Sequence, residues 1–226
     1  DRLYCRGVYK EKDVFVKIYK VDEQWESKDA KAFMNEHQVI LKLKHPSIVE
    51  LYRIATIYVG STKYAILIME YARGWNAQNY NKSDQKQFAK PLLVALLETM
   101  QYIHSMGFVY VDLKFDNFKM QWHGDKVSIK LFDFDHVLPM NYLSKKVRGT
   151  PFYIDCSLYK RTPYYTDKVD IWTIGVCIYY LFAGRFPCTL DRDDISESFV
   201  QNAIKMWNGR LVDSHKLDDL ELIVKN

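Results

Sequence analysis

The stretch Tyr110-Val111-Asp112-Leu113-Lys114-Phe115-Asp116-Asn117 sets an acid, a lysine two residues on and an amide five residues on. Those types at that spacing suit phosphoryl transfer, which asks a protein for positioning and charge stabilisation more than for covalent chemistry. Asp112 can orient an attacking hydroxyl, Lys114 can steady the moving phosphate, and Asn117 can hold Mg²⁺. Downstream, Asp133-Phe134-Asp135 adds a second acid, and Asp133 can hold the metal that bridges the phosphates. A surface loop with scattered charges has the same residue types. It does not have the order Asp-x-Lys-x-x-Asn, then a hairpin, then Asp-Phe.

The flanking elements must place these groups. Ser83 can cap a helix that runs to about His104, with Phe88, Leu92, Leu96, Met100 and Ile103 as its apolar stripe and Gly107 as its end. A hairpin follows the stretch, 118–120 with 127–131, turning at His123-Gly124-Asp125, so His123 is a turn residue rather than a ligand. Upstream, 14–19 reads as a strand with Val14, Val16 and Ile18 on one side and Phe15, Lys17 and Tyr19 on the other. A helix over 27–44 places Phe33, Ile40 and Leu43 on one face together with Glu36. A carboxylate facing inward needs a partner, and Lys17 is the natural one. A second hairpin, 54–59 with 64–71, turns at Gly60-Ser61. The helix 166–182 is nearly all apolar and so predicted to be buried on every side, with Asp170 inside it. Residues 136–148 show no periodicity, and the tail from Ile195 reads as one or two short helices.

The bulk numbers leave room for this. The 226 residues suit one large domain or two small lobes, and 48% hydrophobic content supports a core. The net charge of +4 comes from bases interleaved with acids, which gives no case for a nucleic-acid partner. Cys5, Cys156, Cys177 and Cys188 form no C-x-x-C pair and read as free thiols. The sequence opens abruptly at Asp1, and no stretch reads as a signal or is long and apolar enough to span a membrane.

In order and type these motifs resemble those of protein kinases, over nearly the whole chain. The central stretch is similar to H-R-D-L-K-x-x-N, and Asp133-Phe134 to the start of D-F-G. Lys17 resembles the lysine of the V-A-x-K strand, which contacts the ATP phosphates, and Glu36 its helix partner. His45-Pro46-Ser47-Ile48-Val49 resembles H-P-N-I-V. Ile66 to Ala72 resembles the strand and hinge that hold adenine through backbone groups, with Met69 as gatekeeper and Glu70 and Ala72 as the bonding residues. Gly149-Thr150-Pro151-Phe152-Tyr153 resembles the G-T-x-x-Y of the peptide shelf, and Thr150 with Lys114 is the serine/threonine pattern. Asp170-Ile171-Trp172-Thr173-Ile174-Gly175 resembles D-x-W-S-x-G, whose acid ties down the catalytic loop, and Gly184-Arg185-Phe186-Pro187 resembles the closing G-x-x-P.

The resemblance implies an α+β, two-lobed fold: a small antiparallel sheet with one helix over 1–70, and a mostly helical lobe over 71–226. It implies ATP with Mg²⁺ or Mn²⁺, and a protein substrate phosphorylated on serine or threonine. Asp112, Lys114 and Thr150 would be catalytic, and Asn117 and Asp133 would hold metal. Lys17, Glu36, Phe15, Met69, Glu70 and Ala72 would form the nucleotide site.

The departures matter as much. A glycine-rich loop needs several glycines, and 1–16 holds only Gly7, in a stretch that reads as the strand just after such a loop. That pattern resembles the apicomplexan secreted kinases lacking the loop, relatives of the rhoptry kinases; a divergent viral kinase fits it as well. Tyr110 and Val111 replace His-Arg, Asp135 replaces the glycine of D-F-G, and Phe15 replaces the small residue over adenine. Ser157 stands where the Ala-Pro-Glu glutamate is expected, and the C-terminal residues offer no obvious match to the arginine that glutamate usually pairs with. The pair is absent as a pair, a smaller loss than one buried partner alone. The reading is an active kinase, with a pseudokinase binding scaffold as the alternative.

Overall fold

The computed structural model describes residues 2–159 and 162–187, with the backbone alone at 156 and 157. Asp1, Cys188, the expected tail helices beyond Ile195 and the side chain of Ser157 lie outside that description.

Four strands form an antiparallel sheet: β1 (Arg2–Tyr9), β2 (Lys12–Val21), β3 (Leu51–Val59) and β4 (Thr62–Glu70), in the order β1-β2-β4-β3. β1 and β2 are joined by Lys10 and Glu11 alone, both at positive φ (49° and 64°), the tight connection that matches strand twist. No phosphate-covering loop lies between Arg2 and Val21. β3 and β4 turn at Gly60 as expected.

Helix α1 (Lys28–Ile40) packs on the β2 face that carries Lys17 and Tyr19, burying Ala30, Phe33, Glu36, Val39 and Ile40. The Ser27 hydroxyl caps it, accepting the Ala30 N–H at 3.2 Å. The helix stops at Ile40, short of the expected Lys44. Lys42 N–H already bonds back three residues to Val39 O, the tightened last turn of a helix, and His45-Pro46 then turns the chain. Leu43 is buried without being helical.

The remainder is built on two helices, α2 (Lys82–Ser105) and α3 (Asp167–Ala183), packed together. The α2 stripe of Phe88, Leu92, Leu96, Met100 and Ile103 is buried throughout. Its cap is Asn81, which accepts the Asp84 N–H at 3.0 Å; Ser83, expected there, sits in the first turn and donates to Asn81 Oδ1 at 2.6 Å. Helix α3 is capped by Thr166 and ends at Gly184 in the left-handed conformation. It is not buried on every side. Lys168, Ile171 and Gly175 form an exposed stripe at helical spacing, so apolar composition overstated its burial.

Short strands position the loops. β5 (Phe108–Val109) pairs with β8 (Leu138–Pro139), and β9 (Tyr142–Leu143) with β10 (Tyr164–Tyr165). Residues 136–148, aperiodic in sequence, are therefore pinned at two points. β6 (Phe118–His123) and β7 (Lys126–Leu131) form the expected hairpin about Gly124-Asp125, with His123 exposed. Val49 N–H to Leu131 O (3.0 Å) and Leu131 N–H to Ser47 O (2.7 Å) join this hairpin to the chain after α1. One core runs from Tyr19 and Phe33 through Met69 to Phe88, Leu92 and Ile174.

Gly74 lies where the chain leaves β4, at φ +124°, and a Cβ there would meet Met120 O at 2.5 Å. Trp75 and Met120 exchange backbone bonds at that point. Gly60 has φ +60° and open space around it. Gly60→Ala should cost about 1–2 kcal/mol for its backbone conformation alone. Gly74→Ala adds a backbone clash and should cost clearly more, about 3 kcal/mol or above. Urea unfolding of both variants checks this, and equal losses would remove the close approach as the reason for Gly74.

Candidate active site

Asp170, fully buried on α3, holds the central stretch from below. Its carboxylate accepts the Tyr110 and Val111 N–H groups at 2.8 Å each, and His104 Nε2 lies 2.8 Å from Oδ2. Val111 needs that hold. It sits at φ +76°, and left-handed backbone costs a branched residue about 1–2 kcal/mol or more. Two hydrogen bonds to one carboxylate can offset that.

Above this anchor, three groups close a triangle. Thr150 Oγ1 donates to Asp112 Oδ1 at 2.6 Å, Lys114 Nζ lies 3.0 Å from Asp112 Oδ2, and Lys114 Nζ donates to Thr150 Oγ1 at 2.7 Å. Asn117 Nδ2 donates to Asp112 O (2.8 Å) and Oδ2 (3.2 Å), which turns its amide oxygen away from Asp112. Gly149, at φ +114°, brings the Thr150 segment against Val111 O, where an added Cβ would lie 3.4 Å away.

A second cluster forms between β2, α1 and the turn after β7. Lys17 is 3% exposed and Glu36 wholly buried. Lys17 Nζ donates to both Glu36 oxygens (2.9 and 2.8 Å) and to Asp133 Oδ1 (2.7 Å). Burial opposes the Lys17 charge, but Glu36 and Asp133 outweigh it and hold the ammonium pKa above the ordinary lysine value. Glu36 also accepts the Tyr19 hydroxyl and, at 3.1 Å, the Phe134 N–H. Burial and then Glu36 push the Tyr19 phenol up, so it stays a donor. The Tyr110 hydroxyl donates to Phe132 O and to Asp133 O, and the Phe134 ring meets Tyr110 edge-on at 5.5 Å.

The expected adenine contacts are placed as follows. Phe15 pairs in register with Met69, is half-buried, and stacks on Tyr4 at 5.9 Å. Met69 is buried. The Glu70 side chain turns to Lys130 (2.9 Å) and the Glu50 N–H (3.2 Å), and its backbone N–H donates to Glu50 O at 2.8 Å. Ala72 packs on the edge of the core. An open polar cavity of about 530 Å³ lies beside this segment, lined by Glu70, Tyr71, Arg73, Lys119 and Lys130 among others; Lys17, Asp112 and Asp133 do not line it.

The structure thus gathers Lys17, Glu36 and Asp133 in one cluster and Asp112, Lys114, Asn117 and Thr150 in another. Sequence reasoning missed the roles of Tyr19, Tyr110, His104 and Arg2. Tyr19 was readable, because it shares the Lys17 face two residues on. Among the described residues no group of three or more His, Cys, Asp or Glu forms a metal cage. Asp133 and Asn117 are oxygen donors of the kind Mg²⁺ takes when phosphates complete its shell.

Residues 3–220 match the family model described as the protein kinase domain. The chain belongs to the protein kinase family. Sperm motility kinase Z of Mus musculus is 32% identical over 180 residues, covering 77% of this chain and 34% of that protein. A cAMP-dependent protein kinase, catalytic subunit-like, of Caenorhabditis elegans is 31% identical over 156 residues, covering 68% of this chain and 37% of that protein. The chain spans about a third of the length of these curated relatives. The α+β fold of this kinase, an antiparallel sheet with one helix beside a helical region, is that of the family.

Tyr110 stands in this kinase where the pattern has histidine. Tyr110→Phe keeps the ring against Phe134 and leaves the half-buried Phe132 and Asp133 carbonyls without the hydroxyl that donates to them. It should cost about 1–3 kcal/mol in urea unfolding. An unchanged midpoint and slope would mean that the hydroxyl does not hold the turn.

Proposed function

We propose that this kinase transfers the γ-phosphoryl group of ATP, with Mg²⁺ or Mn²⁺, to a serine or threonine hydroxyl of a protein. The observation that carries the reading is the closed triangle of Asp112, Lys114 and Thr150, with contacts of 2.6 to 3.0 Å. Asp112 Oδ1 is aimed to accept a hydroxyl proton, as its bond from Thr150 illustrates. Asp112 would orient the substrate hydroxyl and take its proton as the bond to phosphorus forms. Lys114 would balance the charge next to it, and Thr150 would keep both in place. Asn117 and Asp133 would hold the metal. Lys17, fixed by Glu36, would exchange Asp133 for a phosphate oxygen. Bound ATP supplies the phosphoryl group, and the metal neutralises charge on the phosphates. The serine/threonine choice rests on the Lys114 and Thr150 pattern. The narrower likeness to secreted kinases lacking a glycine-rich loop rests on the glycine-poor stretch 1–16, and the relatives named above are mouse and nematode kinases.

ATP should raise the melting temperature only with Mg²⁺ or Mn²⁺ present, and Asp133→Asn should abolish the shift. Asp112→Ala should keep the shift and lose turnover by about 10²-fold or more, the scale of a lost general base. An equal shift without metal would count against the Asp133 and Asn117 site.

One observation favours the second reading, a pseudokinase scaffold: Phe15 fills the face beside Lys17 with a large ring stacked on Tyr4. If the ring stacks on the base, Phe15→Ala should weaken ATP binding about threefold to tenfold, from about 0.5–1.5 kcal/mol of ring stacking. If it plugs the site, calorimetry should show tighter binding in the variant, and that result sinks the enzyme reading.

A further inference from the structure

Arg2, on the edge strand β1, reaches to two other elements. Its Nε donates to Asp29 Oδ1 on α1 at 3.0 Å, and its Nη1 to Asp135 Oδ2 at 2.5 Å. The guanidinium lies over the Tyr19 ring, 5.3 Å from its centre, and Tyr19 donates in turn to Glu36. The Asp135 side chain is 5% exposed. Its other oxygen, Oδ1, has no hydrogen-bond partner, and His136 Nε2 stands 3.5 Å from it.

The backbone around Asp135 is held as well. Asn35 on α1 donates from its amide nitrogen to Asp135 O (2.9 Å) and Val137 O (3.0 Å), and Phe134 N–H donates to Glu36. Consecutive residues of the turn carrying Asp133 are thus bound to α1 or β1. Asp135 is not among the residues at positive φ, so a side chain fits there without backbone strain. An aspartate where the pattern has glycine narrows the conformations open to the turn. It also adds a carboxylate that is costly to bury unless Arg2 meets it.

We propose that Arg2 is a positioning residue: through Asp135 and Asp29 it clamps the Asp133–Asp135 turn to α1, so that the backbone of the turn stays in place when the Asp133 side chain leaves Lys17 for a metal. The proposal rests on the kinase reading for its purpose, but the clamp itself is a statement about the resting protein. Arg2 and Asp135 are 133 residues apart, so the contact ties β1 to the site directly. It acts on the Asp133 turn and leaves the Asp112 triangle untouched.

The test uses Arg2→Met, which keeps the aliphatic stem, Arg2→Lys, Asp135→Asn and the double variant Arg2→Met with Asp135→Asn. Hydrogen exchange without nucleotide should show the amides of 133–137 opening about tenfold faster in Arg2→Met, with α2 unchanged. Arg2→Lys should recover part of the protection. The Mg²⁺ concentration that gives half of the ATP-induced melting shift should rise about threefold or more in Arg2→Met and in Asp135→Asn, and the double variant should be no worse than either, because coupled partners are not additive. Unchanged exchange at 133–137 in Arg2→Met, or additive effects in the double variant, would overturn the clamp. Should Arg2→Met fail to fold, Asp135→Asn against wild type decides by the same exchange readout. Wild type that shows no ATP turnover sinks the kinase reading instead, and the exchange result then judges the clamp alone.

Discussion

The buried pair of Lys17 and Glu36 is the constraint from which the arrangement around Asp133 follows. Taking an ammonium and a carboxylate out of water costs several kcal/mol for each ion, and their attraction repays that only with good geometry and with the remaining hydrogen-bonding sites filled. Here they are filled: Glu36 accepts from Lys17, Tyr19 and the Phe134 backbone, and Lys17 donates to Glu36 and Asp133. These bonds join three separate parts of the chain: Lys17 and Tyr19 on β2, Glu36 on α1, and Asp133 and Phe134 in the turn after β7. The pair therefore works less as a source of stability than as a requirement that β2, α1 and the turn after β7 meet in one register. A slip of β2 by one residue would turn Lys17 to the outer face and leave Glu36 buried without its cation.

The second constraint is Asp170, and it works on the backbone. Left-handed backbone at Val111 costs about 1–2 kcal/mol or more, and two charge-assisted bonds, each worth about 1.5–3 kcal/mol net, are enough to hold it. The twist at Val111 leads directly into Asp112. Buried on α3, the same carboxylate joins the helical core to the stretch that carries Asp112.

Much of the fold was readable because it is local. The alternation 14–19 predicted both faces of β2, and the stripe from Phe88 to Ile103 predicted the buried side of α2. Lys17 and Glu36 were readable because a carboxylate on an apolar helix face needs a partner. What failed locally failed by small margins: Asn81 and Ser83 are both good caps two residues apart, and the pattern through Leu43 outran the end of α1. What could not be read was long-range. Arg2 to Asp135, Asn35 to Val137 and Tyr110 to Asp133 join segments whose own patterns carry no trace of the partner. The division of the chain at 70 remains a reading from the motif order.

The departures from the family pattern are unevenly placed, and that bears on what the chain does. The side chains that would face phosphate, metal and the acceptor hydroxyl are Lys17, Asp112, Lys114, Asn117 and Asp133, all of the expected type. Three of the changed residues, Tyr110, Val111 and Asp135, lie one step behind them. Two of them are met by a side-chain contact: Tyr110 donates to the backbone of the Asp133 turn, and Asp135 is met by Arg2; the bond from Val111 to Asp170 is made by its backbone N–H and does not depend on the side chain. Phe15 differs, because it stands on the face of β2 that carries Lys17, where its ring stacks on Tyr4. The weight of enzyme against scaffold therefore falls on that one ring.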